Sequence, residues 1–152
     1  MEATAYIRRE TLISIAINVM LSAAFFLAVF GLRGPVPVWG SGGYVLDFGP
    51  QGFMIGLMAT LVPGLLARKA LAAGKVMAMG GASALPGAIA VRAVVCGLTG
   101  AAAGVAASAI PLWAIAASSI DWLAALIAKL LFGAMLAAIV TPAGLRAELV
   151  RR

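Results

Sequence analysis

The chain has 152 residues, 64% of them hydrophobic and only 11% charged, with 11 Lys and Arg against 5 Asp and Glu. A soluble domain of this size needs a polar shell that so few charged residues cannot supply, so the composition excludes an ordinary soluble fold and predicts one polytopic, all-α membrane domain. The net charge of +6 does not point to nucleic acid, because Arg8, Arg9, Arg68, Lys69, Lys75, Arg92, Arg146, Arg151 and Arg152 stand at the ends of apolar runs, where they read as topology signals and headgroup anchors.

Met1–Glu10 is a short polar lead, and the first span covers about 11–32 with Asn18 and Ser22 as its strong polar groups. That run is too long for a signal-peptide core, and Phe30–Pro35 reads as a helix exit, so cleavage is not expected. The loop 33–51 is rich in Gly and Pro. Pro35–Trp39 and Tyr44–Phe48 flank a Gly-rich turn there, a pattern that predicts a short β-hairpin, with its prolines confining the first strand to an edge. The second span covers about 50–67, with Gln51 at its mouth and Pro63 expected to kink or end it. Ala70–Leu85 reads as a small, flexible, basic cytoplasmic turn.

The third span covers about 88–110, entered at Pro86 and left at Pro111. Gly97, Gly100, Gly104 and Ser108 give it a face of small residues, a pattern that lets helix backbones approach closely in lipid. This helix is therefore expected to be the most enclosed or the self-associating one. Pro111–Ser119 reads as a turn at the outer interface. The fourth span covers about 122–141, with Asp121 placed as an N-cap. Lys and Arg avoid the loops 33–51 and 111–121, which hold only Arg33, so the rule of basic residues inside predicts an up-down bundle with both termini cytoplasmic. The second and fourth spans both end in a proline followed by arginine, and the first and third both follow an arginine. Repetition of one helical hairpin gives this pattern; so does the ordinary ending of any inward-going helix.

The residues Pro50–Met54 and Leu61–Lys69 resemble a group of small bacterial inner-membrane proteins with four spans, some labelled permease. The resemblance implies an inner-membrane location and carries over no catalytic residues. The chain does not match the small multidrug transporters, whose glutamate lies within the first helix; Glu10 here precedes the span.

Catalysis finds no support in the sequence. The chain has no histidine, no cluster with metal-ligand spacing, and no cofactor motif. Met54 and Met58, with Met20 and Met135, read as apolar filler rather than Cu(I) ligands, and Cys96 as a small buried hydrophobe. Lys129 is the sharpest signal. It lies about 10 Å along the fourth helix from Trp122, inside an apolar span, where an ammonium is costly unless it snorkels or finds a partner. It is either an anchor, snorkelling or neutral, or a charge in an outward-facing polar pocket with Asp47, Gln51 and Asn18. Asp121, about 12 Å away on the same helix, is out of reach, so a partner must come from the loop before the second span. The first functional expectation is an assembly or accessory subunit that packs against itself or a larger membrane partner. The alternative is a small oligomeric transporter or channel for a polar or anionic solute. The sequence points to no enzyme.

Overall fold

The computed structural model describes residues 1–150. It is all-helical but for two short strands: α1 (Ala3–Phe30), β1 (Val36–Pro37), α2 (Tyr44–Ala72), α3 (Ile89–Ala114), β2 (Ser119–Ile120) and α4 (Trp122–Leu149). All four helices are long and apolar enough to cross a membrane. A helix satisfies its own backbone, which hydrocarbon otherwise leaves unpaired. This is a multi-pass membrane architecture.

The helices outrun the spans expected from hydropathy. At 28, 29, 26 and 28 residues, each is roughly 40 Å long, enough to pass from the hydrocarbon into the headgroup layer. The polar lead is helical from Ala3, with Tyr6, Ile7 and Glu10 buried. Pro63, Pro111 and Pro142 lie inside α2, α3 and α4 rather than ending them. Pro111–Ala114 is thus the last turn of α3 instead of part of an interfacial turn. Two expected boundaries do form: Gly31 leaves α1 with φ 69° and donates its N–H to Leu27 O, and the Asp121 carboxylate accepts from the Leu123 and Ala124 amides at 3.0 Å to cap α4.

The expected hairpin is absent. Tyr44–Phe48 opens α2, and Val36–Pro37 pairs antiparallel with Ser119–Ile120. Gly43 makes the early start of α2 possible, because a Cβ there would lie 2.7 Å from the backbone of Trp39. The two loops at this end are further joined by Val38 N–H to Ser118 O (3.1 Å) and Trp39 Nε1 to Ala117 O (2.8 Å). At the opposite end, 73–88 is not a free turn. Val76 is buried, Met77 donates to Met1 O and Met79 to Leu149 O, tying this connection to both termini.

Polarity is inverted relative to a soluble bundle. Glu10, Ser14, Asn18 and Ser22 recur every four residues on the buried face of α1, while Leu12, Ile17, Met20, Leu21 and Phe25 face outward. The core has three layers. Phe26, Val36, Tyr44, Phe48 and Ala125 fill one end. Ile55, Ala59, Cys96, Ala137 and Val140 fill the middle, and Tyr6, Ile7, Ala67, Val76, Leu145 and Leu149 the other end.

Successive helices run in opposite directions, but they do not pack as successive hairpins. α2 lies against both α3 and α4, and α1 lies against α4, while the α1–α2 and α3–α4 faces touch only sparsely. Exchanging α1 with α3 and α2 with α4 preserves this arrangement, as a repeated hairpin would. The centre is α2 and α4, and α2 is the most enclosed helix. α3, expected in that place, sits on the flank. Its small residues meet a second row on α2 that the sequence reading missed. A Cβ on Gly52 would lie 2.2 Å from Gly100 O, and one on Gly56 would lie 2.1 Å from Cys96 O. Gly97 faces Phe53, while Gly104 faces Phe48 and Phe132. The contact is therefore made within the chain.

Gly56→Ala must force α2 and α3 apart, a backbone clash that no rotamer relieves. It should lower stability in detergent by about 1–3 kcal/mol, read as a fall in melting temperature. Gly49→Ala, whose Cβ would meet Val105 at an ordinary 3.6 Å, should melt with the parent.

Candidate functional site

Lys129 lies on the buried face of α4, in the row Ala125, Lys129, Gly133, Ala137, and is 2% exposed. Its Nζ donates to Asp47 Oδ2. Asp47 stands in the first turn of α2, where the helix dipole also favours a carboxylate. It is therefore a helix residue, not part of a loop folded over the bundle. The ammonium lies 4.7 Å from the ring centre of Phe48, 5.7 Å from Tyr44 and 6.0 Å from Phe30, within reach of cation–π attraction. The Tyr44 hydroxyl donates to Ala125 O at 2.7 Å, fixing one wall of this enclosure. Lys129 is thus buried within the bundle and paired there with the first turn of α2.

Gln51 follows Asp47 by one turn. Its Nε2 donates to Ser22 Oγ at 2.8 Å and to the Lys129 carbonyl at 3.3 Å. A backbone carbonyl can only accept, so the amide orientation is set, and Oε1 is left buried with no partner among the described residues. Asn18 donates Nδ2 to Ser14 O (2.8 Å) and Ser14 Oγ (3.3 Å) on its own helix. Thr141 Oγ1 of α4 donates to Ser14 Oγ of α1 at 2.8 Å, and the Trp122 indole of α4 donates to Gly31 O at the end of α1 at 3.1 Å.

These groups meet in one cleft of about 160 Å³ between α1 and α2. Asn18, Ser22, Asp47, Gln51 and Lys129 supply its polar part, and Leu21, Phe25, Met54, Ile55 and Met58 its apolar wall. The structure brings together all four residues expected to form a pocket, and it adds Ser22. Gly97, Gly100, Gly104 and Ser108 lie elsewhere, on the buried face of α3. Ser108 bonds back to Gly104 O at 2.9 Å and borders a second, apolar groove of about 670 Å³ between α3 and α4.

A second charge cluster, missed in the sequence, closes the other end of the bundle. Glu148 Oε1 accepts from Arg68 Nε and Oε2 from Arg92 Nη2. Arg92 is fully buried and Glu148 nearly so, which overturns the reading of Arg92 as a headgroup anchor. Arg92 Nη1 also donates to Pro86 O at 3.2 Å. The available signal was Glu148 itself, the one acid of the C-terminal stretch, set among cations.

Between the two clusters lies the apolar middle layer. The arrangement holds two paired charge sites, and beside the apolar layer the buried polar row Glu10, Ser14, Asn18 and Ser22 of α1 runs along the bundle, with Thr60 and Thr141 buried at the same levels. No family model, curated protein or solved structure matches the chain.

Lys129→Met leaves Asp47 without its counter-charge, and Asp47→Asn leaves the buried ammonium without its own, so each change alone should destabilise the fold. The double variant should recover part of the loss. A double-mutant cycle of unfolding in detergent should give a coupling energy of about 1–3 kcal/mol.

Proposed function

We propose that the chain is an assembly or accessory subunit of the bacterial inner membrane, acting through helix packing and not as an enzyme. The observation that carries this reading is that charges are paired within the chain at each end, with the apolar side chains of Ile55, Ala59, Cys96, Ala137 and Val140 packed between them. Function then falls to the outer surface.

Both termini and the 73–88 connection share the end that carries most of the cations, and this end faces the cytoplasm by the excess of Lys and Arg in inside loops. The surface offered to a partner is the α3–α4 groove. Ala103, Ala107, Ala124 and Ala128 line it, and small side chains let a further helix approach closely in lipid. α3 makes its extensive contact with α2 alone, so a helix of a larger membrane subunit seated in the groove would complete the enclosure of its second side. The expected self-association through Gly100 and Gly104 gives way to this groove, because those glycines are already covered by α2 and α4.

The second reading, a small oligomeric transporter, is favoured by the gathering of Asn18, Asp47, Gln51 and Lys129 at one cleft. Transport would require a second copy or a partner to close that cleft.

With Cys96→Ala as background, a photo-crosslinker on a cysteine at Ala107 or Ala128 should give one discrete heavier product in native membranes. A probe at Val94, 44% exposed and away from the groove, should give none. The product mass distinguishes a second copy from another protein. Equal, diffuse labelling at all three positions would mean that lipid fills the groove, and the proposal would fail.

A further inference from the structure

We propose that the cleft between α1 and α2 binds a neutral lipid that ends in a free hydroxyl, with that hydroxyl bridging Asp47 and Lys129. The cleft shares no residue with the α3–α4 groove, so the inference stands apart from the partner-docking reading.

The walls define how a ligand enters. α1 and α2 touch only sparsely. Leu21, Phe25, Met54 and Met58 border the cleft and face outward, at 48%, 66%, 51% and 43% exposure. In a bilayer these side chains meet acyl chains, so a ligand arrives sideways through the hydrocarbon and carries an apolar chain. The volume of about 160 Å³ is close to that of an engineered apolar cavity of about 150 Å³ that takes up benzene. It admits one narrow chain end and excludes a bulky head group.

The polar end defines what that chain carries. Lys129 has three N–H donors, and Asp47 Oδ2 is its one hydrogen-bond acceptor among the described residues. The rings of Phe48, Tyr44 and Phe30 attract its charge but leave two N–H groups without an oxygen or nitrogen to meet. Asp47 is the complement. Its Oδ1 has no donor among the described residues, and its side chain is 23% exposed. Both residues line the cleft. Because Oδ1 and Oδ2 belong to one carboxylate, the free acceptor stands beside the free donors.

Charge then decides between head groups. An ammonium would lie against the Lys129 ammonium, and a phosphate or carboxylate would lie against Asp47. Either repulsion is strong in the low dielectric of a membrane interior, so the ligand end must be neutral. An ester or ether oxygen accepts from Lys129 and gives nothing to Asp47. A hydroxyl does both, donating its proton to Asp47 Oδ1 and accepting one N–H from Lys129. Hydrogen bonds to charged groups are the stronger class, and one hydroxyl makes two of them. A water molecule makes the same two bonds but leaves the apolar wall uncovered.

Native mass spectrometry from micelles holding equal amounts of a diacylglycerol and its O-methyl ether, with identical chains, tests this directly. The parent should retain one molecule, with the alcohol favoured about tenfold, the value of one good hydrogen bond. A long-chain isoprenoid alcohol and its methyl ether form a parallel arm, and direct competition between the two alcohols identifies the lipid source. Asp47→Leu combined with Lys129→Met replaces the ion pair by apolar side chains of similar size, a change that often leaves a fold intact. That variant should retain alcohol and ether equally. Met54→Trp, at an exposed position on the rim, should fill the cleft and abolish retention. Three results would overturn the proposal: no retention by the parent, equal retention of alcohol and ether by the parent, or unchanged retention in Met54→Trp.

Discussion

The burial of Glu148 between Arg68 and Arg92 is the constraint on which the rest of this bundle depends. An ion taken out of water loses several kcal/mol of solvation even after local relaxation, and only a well-placed counter-charge recovers it. Inside a membrane the alternative partners are fewer still. Glu148 comes from the last turn of α4, Arg92 from the start of α3 and Arg68 from the end of α2, so one carboxylate fixes three helices at a common level. Lys129 and Asp47 do the same for α4 and α2 at the far end. With the register set at two levels, the sliding of α2 along α4 is stopped at both ends.

Between these levels, close backbone approach takes over. Gly52 and Gly56 lie directly against Gly100 and Cys96, a contact that van der Waals packing, rather than hydrophobic exclusion, has to drive in lipid. Its consequence is an asymmetric molecule. α3 is drawn onto α2 and leaves a groove beside α4, and α1 is drawn onto α4 and leaves a cleft beside α2. The two openings are related by the same exchange of helices that relates the two halves of the chain, but they differ in chemistry. One is lined by alanines and apolar side chains; the other carries a charge pair and an amide. The bundle thus presents two unlike lateral surfaces to the bilayer.

Much of this was legible in the sequence, for identifiable reasons. Apolar runs of span length gave the four helices, since a continuous run of about 20 apolar residues satisfies its backbone in hydrocarbon as a helix. Lys129 stood out because a charge inside such a run needs an explanation, and the limited reach of its side chain pointed to Asp47 and Gln51. Asp121 was recognisable as a cap because its position before the apolar run is where a carboxylate can meet free amides. The features missed share a different origin. Arg92 and Glu148 are near helix ends, where charged residues ordinarily face headgroups, and no local pattern separates a buried arginine from an anchor. Gly52, Gly56 and Thr60 lie among Phe53, Ile55 and Leu57, which hide the spacing. Val36–Pro37 found its partner at Ser119–Ile120, more than eighty residues away in sequence, a pairing that only the packed helices bring about. The helix ends were drawn short because hydropathy marks the hydrocarbon layer, whereas hydrogen bonding continues beyond it.

The central claim is that the apolar side chains of the middle layer are closely packed between the two charge clusters, and the chain carries its own reporter of that layer. Cys96 is its one cysteine and lies in the middle of the layer, 7% exposed. The decisive measurement is the reaction of Cys96 in native membranes with a small, charged, water-soluble thiol reagent applied to each side in turn. The account predicts no labelling from either side and full labelling once the protein is unfolded in denaturing detergent. Labelling of the folded protein from either side would reveal water around Cys96, and would contradict the close packing of the middle layer.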